Sequence, residues 1–315
     1  LVRRGLEYVL AVALTAGAGS ADTAYVTCQN GNELGVIDLA NAAEVARWPL
    51  PGQPAGVAMG PASDVFTVSP DSKTVRRLDA ESGALIAQRR LDGGPTGIAV
   101  DPERGHVFVS DWYNARLWVL DATALDPIQT LATGTSPAGI TVRDDARFFA
   151  SADKDSDQVS VFDAETLVLL QRIKVGARPF GLRFAPDGRL FVANVGSNDV
   201  SIVDVERGKV TATIPVGERP YGVAFAQGQA FVTNQYENTV SVIALDTLAS
   251  AEKIAVGEYP EGIDTTPDGT RVVLANWFDN TVTIIDANTH SVLETVDTCD
   301  GPRAFGTFLS QGEHR

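Results

Sequence analysis

The side chains best suited to catalysis are scarce in this chain and poorly placed for it. Its three histidines, His106, His290 and His314, fall in turn segments or in the tail. They lie away from the loops that carry arginines and aromatics, so an imidazole-ligated metal or a histidine general base has no source residue there. Cys28 and Cys299 have neither C-x-x-C spacing nor a neighbouring histidine, which favours a disulfide over a redox dithiol or a metal pair. No nucleophile elbow, P-loop or dinucleotide fingerprint is present. The remaining candidates are oxygen donors: Asn194, Asn234, Asn276 and Glu261 are of the kind that hold calcium, the only cofactor the sequence suggests.

Recognition chemistry is better supplied. Arg178, Arg219 and Arg303 stand beside Phe180, Tyr221, Tyr236, Tyr259, Glu261 and Trp277 at corresponding points of a repeated unit. Arginine with tyrosine and tryptophan suits a protein loop or a small anionic or carbohydrate-like ligand. Two assignments fit: a binding surface, or structural packing in which Arg219 pairs with Glu218 or Glu258 and the rings fill seams between units. Arg183 and Asp264 interrupt a column otherwise occupied by Ala58, Ala99, Thr141 and Ala224, and a charge there must be paired or hydrated. The expectation is a water-bridged pair in a central channel.

The elements that position these residues follow from the repeat. A proline two residues before a glycine recurs at Pro54, Pro95, Pro137, Pro179, Pro220 and Pro260, spaced by 41, 42, 42, 41 and 40 residues, and Pro302 follows 42 later. Each unit holds four short β-branched runs bounded by Gly, Asn, Asp and Pro, read as strands A (GVAF), B (AFVT), C (TVSVI) and D (AEKIA) in the unit from Val216. Four strands per unit of about forty residues predict propeller blades. The expected fold is all-β, a seven-bladed β-propeller of four-stranded antiparallel blades. Asp38, Asp79, Asp121, Asp163, Asp204 and Asp286 end strand C in most units and read as turn residues; Asn194, Asn234 and Asn276 end strand B, where an amide can cap a turn.

Both ends complete one blade. AYVTCQNGNELGVID from Ala24 aligns without a gap on AFVTNQYENTVSVIA from Ala230 and supplies strands B and C, AEVARWPL supplies D, and PRAFGTFLS from Pro302 supplies A. This alignment sets Cys28 at the end of strand B and Cys299 just before strand A of the same blade, near enough for a disulfide.

The segments YVTC at 25–28, FVAN at 191–194, FVTN at 231–234 and VLAN at 273–276, each followed by a polar loop and a VSVID-like strand, resemble the YVTN β-propeller repeat family over residues 23–309. The second and third blades depart to VFTVSPD and VFVSDWY. The resemblance implies a propeller whose site lies where D-to-A and B-to-C loops surround the channel mouth. Such proteins include surface-layer components, periplasmic proteins and relatives of quinoprotein and haem-enzyme subunits. The ending PRAFGTF is similar to members found alongside quinone-cofactor alcohol oxidation.

Composition narrows the function classes. A net charge of −15 repels phosphate backbones and argues against nucleic acid. Arg3 and Arg4 precede the apolar run YVLAVALTAGAG and the small residues Gly19, Ser20 and Ala21, a signal-peptide pattern over residues 1–21 too short to span a bilayer. The expected mature chain is a single domain over 22–315, periplasmic or secreted, without a transmembrane segment. The leading expectation is a non-catalytic exported propeller that binds a partner protein or small ligand on its loop-rich face, as an accessory of a periplasmic system. The alternatives are a calcium-type hydrolase, lactonase or lyase at the channel mouth, and a propeller component of a quinoprotein or haem redox complex.

Overall fold

The computed structural model of the protein describes residues 22–61 and 64–310, and in them the repeats form seven blades around a central channel. The expected signal peptide, residues 1–21, and His314 lie outside the described residues. Blade 1 is the closing blade, and blades 2 to 7 begin at the successive triplet prolines. Blade 6 shows the unit: strand A, Pro220–Ala226; B, Gln229–Asn234; C, Thr239–Ala244; D, Ser250–Ala255, each antiparallel to the next. Strands B and C are buried on both faces because neighbouring blades cover them, so they read as apolar runs. Strand D is the outer edge, and the charged Glu252 and Lys253 blunt it against pairing with another chain.

The core lies in the seams between blades. Phe231 and Val240 of blade 6 pack with Ile263 and Leu274 of blade 7, and Phe108 and Leu117 of blade 3 pack with Ile140 and Phe149 of blade 4. Each such ring or leucine buried contributes about 1.5–3 kcal/mol.

Close approach explains the repeated glycine. The inner strands pass so near one another that a Cβ at Gly181 would lie 2.0 Å from the carbonyl oxygen of Tyr221, and one at Gly97 would lie 2.2 Å from that of Ala138. The residue before the triplet proline is left-handed, with φ of 54° at Arg178, 53° at Arg219 and 60° at Tyr259. This costly conformation is held by the preceding blade: Arg219 donates its N–H to Asn198 Oδ1 at 2.9 Å, and Tyr259 donates to Asn238 Oδ1 at 3.0 Å. The loops that carry the arginines and aromatics are therefore fixed by the ring itself.

Blade 1 takes strands Thr23–Cys28, Glu33–Asp38 and Ala43–Pro49 from the N-terminal side. Its inner strand differs from the continuous strand expected. Arg303 donates to Thr27 O at 2.8 Å and Ser310 to Thr23 O at 2.9 Å, but between them Phe305–Thr307 leaves the blade and pairs parallel with Gly56–Met59 of blade 2. Ala304 and Gly306 have φ of 47° and 135°, and the missing Cβ of Gly306 admits the Val57 carbonyl, which would otherwise stand 2.1 Å from it. Phe305 thereby turns into the channel. Cys28 and Cys299 form the expected disulfide, with their Cα atoms 5.7 Å apart.

Candidate binding face

The strand-B asparagines are structural. Asn194 donates to Asp199 and Ser201, Asn234 to Thr239 and Ser241, and Asn276 to Thr281 and Thr283, each within its own blade. Both oxygens of Glu261 are taken by Arg303, and one also accepts from Gln235. The amide oxygens of Asn194 and Asn276 are buried without a hydrogen-bond partner among the described residues. Among the described residues no group of three or more His, Cys, Asp or Glu is arranged to hold a metal. His290 bridges Glu252 and Gln229 on the face opposite the loops, and His106 begins strand B of blade 3 on that same face.

The second residue of each Pro-x-Gly triplet points the chemistry at the channel mouth. Glu261 is 1% exposed and grips Arg303 with both oxygens, at 2.6 Å to Nε and 3.0 Å to Nη2. Arg303 Nη2 also donates to the Tyr221 hydroxyl at 3.1 Å, and Nη1 donates to Gln29 Oε1 at 3.2 Å. Burial works against the guanidinium, yet Glu261 and Tyr221 hold its pKa above the ordinary value. Burial pushes the Tyr221 hydroxyl well up, so it remains a neutral partner. Phe180 and Tyr221 pack at 4.4 Å between centroids, and Phe305 packs against both at 5.0 and 5.4 Å.

The rest of the expected sector forms an outer strip. Arg219 Cζ lies 4.4 Å from the Tyr236 ring centroid, and its Nη1 donates to the Tyr236 hydroxyl at 3.0 Å. The expected pairing with Glu218 or Glu258 is thus replaced by an aromatic partner. From Tyr236 the rings continue to Tyr259 at 5.6 Å, then to Trp277 at 5.7 Å and Phe278 at 4.8 Å. Tyr236 and Phe278 are 53% and 58% exposed. Burial pushes the Tyr259 hydroxyl up to about 12, with Tyr236 adding to it. Arg178 is exposed, and its backbone N–H donates to Asp157 Oδ1 at 2.8 Å.

In the channel, Arg183 Nη1 meets Asp264 Oδ1 directly at 2.7 Å, across from blade 5 to blade 7. A bridging water is unnecessary because blade 6 contributes only Ala224 at that level. Asp264 Oδ2 also accepts the N–H groups of Phe308 and Leu309, so the pair anchors the closing strand.

Apart from Trp277, which the sequence already singled out, the residues that sequence reasoning missed share one signal. The first residue of each B-to-C loop varies from blade to blade (Gln29, Pro70, Trp112, Lys154, Val195, Gln235, Trp277) while its surroundings repeat. In most blades its N–H still bonds the D-to-A carbonyl, as Trp112 does to Gly94 and Trp277 to Tyr259. A position with constant backbone and changing side chain is free to carry recognition.

Comparison with known proteins agrees on architecture. The YNCE-like beta-propeller family matches residues 219–306, and the NHL repeat matches residues 93–120. No curated protein matches the chain. Among solved structures, Kuenenia stuttgartiensis hydrazine synthase superposes with a TM-score of 0.74 at 18% identity, covering 81% of this chain and 89% of that one. A functionally unknown protein from Desulfotomaculum acetoxidans superposes at 0.76 with 14% identity, covering 90% and 99%. What these proteins share with the chain is the β-propeller fold, and the chain takes its place among β-propeller proteins.

Proposed function

We propose that this protein is an exported, non-catalytic β-propeller of YVTN type that binds a partner protein or small ligand on its loop-rich face, as an accessory component of a periplasmic system. The observation that carries the reading is the strip of Arg219, Tyr236, Tyr259, Trp277 and Phe278, whose rings touch one another in series while Tyr236 and Phe278 stay exposed and the other three are half-buried. Rigid rings beside an arginine make the kind of surface that carries binding energy in protein interfaces. Export is supported by the leader-like segment and the disulfide. Among the described residues no helix is long and apolar enough to cross a membrane.

The test is comparative capture from the cell envelope of the source organism, read by mass spectrometry. Arg219→Ala with Tyr236→Ala is expected to weaken capture by at least about tenfold, whereas His290→Ala on the opposite face leaves it unchanged. Loss with the His290 variant alone would place the binding face on the other side of the ring. A second reading, a propeller component of a redox complex, is supported by the fold shared with hydrazine synthase and is separated by whether a redox protein is among the captured partners.

A further inference from the structure

Away from the aromatic strip, over blades 1 to 3 and reaching Phe180 of blade 5, the loop face holds a depression of about 510 Å³ beside the channel mouth. That lies within the roughly 300–1,000 Å³ of small-molecule sites. Its wall combines the rings of Trp112 and Phe180 with the amides of Gln29 and Gln53 and the Thr96 hydroxyl. The indole is held in place: Lys154 Nζ sits 4.8 Å from its ring centroid, and the Phe180 centroid is 6.0 Å away. Gln29 is held too, by its N–H to Gly301 O and by Oε1 accepting from Arg303, which leaves its amide NH₂ without a protein partner among the described residues. Such fixed groups lower the ordering cost of binding.

Charge selects among ligands. Arg303 and Lys73 line the depression and Lys154 stands behind Trp112, so the wall offers a cationic ligand no excess of carboxylates. An anionic ligand gains little in return. Arg303 is neutralised by both oxygens of Glu261, Lys154 Nζ is 3.2 Å from Asp155 Oδ1, and Asp71 shares the wall with Lys73. The chain as a whole, at −15, repels anions. What remains is a neutral molecule with many hydroxyls and one apolar face.

We propose that this depression binds a neutral carbohydrate, a pyranose whose C–H face lies on Trp112 and whose adjacent hydroxyls pair with Gln29 and Gln53. The proposal rests on the loop-rich face being the binding face, but it uses none of the strip residues. Calorimetric titration of the full protein with methyl glucoside and cellobiose, against glucuronate and glucosamine at neutral pH, tests it. The neutral sugars are expected to bind at millimolar affinity or better, with both charged sugars at least about tenfold weaker. Trp112→Leu removes the stacking surface and is expected to weaken binding at least about tenfold. Gln53→Asn shortens one amide in a left-handed position that asparagine tolerates, keeps the fold, and is expected to weaken binding about threefold. Tyr236→Ala leaves sugar binding unchanged. No binding of either neutral sugar, glucuronate or glucosamine binding as tightly, or unchanged binding in both variants overturns the proposal. Sugar binding lost while envelope capture persists overturns the pocket alone, and the reverse result overturns the strip alone.

Discussion

Blade 6 is one uninterrupted stretch of chain, blade 1 is assembled from both ends, and the same junction in the two is made with different chemistry. In blade 6, Asn234 at the end of strand B accepts the N–H of Gly217 at 3.0 Å and donates to Thr239 and Ser241 at 3.0 and 2.8 Å. In blade 1, Cys28 stands where Asn234 stands and Cys299 where Gly217 stands, and the junction is a covalent bond between residues 271 apart in sequence. Hydrogen bonds with a net worth of about 0.5–1.5 kcal/mol each suffice where the chain already keeps the strands together. Where closing the ring requires an end to return from far away, the loop entropy is large and a cross-link removes it from the unfolded state.

The sharpest break of this comparison is removal of the bond. Cys28→Ser with Cys299→Ser is expected to lose up to about 5 kcal/mol of stability, against about 1–3 kcal/mol for Asn234→Ala, which strands the Gly217 N–H. Urea unfolding of the two variants measures both, and equal losses would mean that closure is no special problem for this ring. Next in size is the anchor beside the bridge. Glu261→Ala leaves the largely enclosed Arg303 without its carboxylate and is expected to cost about 3 kcal/mol. That loss falls on the closing strand, so hydrogen exchange should rise first at the backbone of residues 303–309. Uniform exchange across all blades would show that Arg303 does not hold the closure.

How much of this was legible in the sequence depended on whether a residue's neighbours repeat. The Pro-x-Gly spacing has a steric cause in blades 2 to 7, so it revealed the fold; the gapless alignment of Ala24 on Ala230 placed Cys28, and the position just before Pro302 placed Cys299. Glu261 and Arg303 were singled out by their column, but their grip on each other was not visible, since they meet only once blade 7 lies beside blade 1. Arg219 was expected beside Glu218 or Glu258. The left-handed backbone at 219 carries the side chain over the neighbouring loop, whose Tyr236 N–H bonds the Glu218 carbonyl, and so onto the tyrosine ring. The Arg183–Asp264 contact and the depression at Trp112 depend on the width and tilt of the finished ring, which no spacing along the chain encodes.

A smaller effect sharpens the comparison inside the channel. Asp264→Asn keeps the shape but weakens the bonds from Arg183, Phe308 and Leu309 by removing the charge, for an expected cost of about 1.5–3 kcal/mol. Arg183→Leu, which leaves Asp264 its backbone donors, should cost less. If the two cost the same, the ion pair and not the capture of the closing strand is what Asp264 supplies.

The smallest effect is expected where blade 1 and the continuous blades are alike. Asp38 in blade 1 and Asp163 in blade 4 both head the turn after strand C. Asp38 is bonded by the Asn41 side chain and by the N–H groups of Asn41 and Ala40, Asp163 by the N–H and hydroxyl of Thr166 and by the N–H of Glu165. These bonds hold both carboxyls below the usual 3.8. A lowered folded-state pKa contributes stability that is present above the unfolded value and lost as pH falls through the folded one, so the window lies below about pH 4. Asp38→Asn and Asp163→Asn keep the turn acceptor but cannot titrate, so each should flatten the loss of stability in acid while changing little at pH 7. Urea midpoints at neutral pH and near pH 3 measure this. Because the turn is local and does not sense how its blade was closed, the two variants should behave alike. A distinctly larger neutral-pH loss for Asp38→Asn would mean that strain from ring closure reaches the far end of strand C in blade 1.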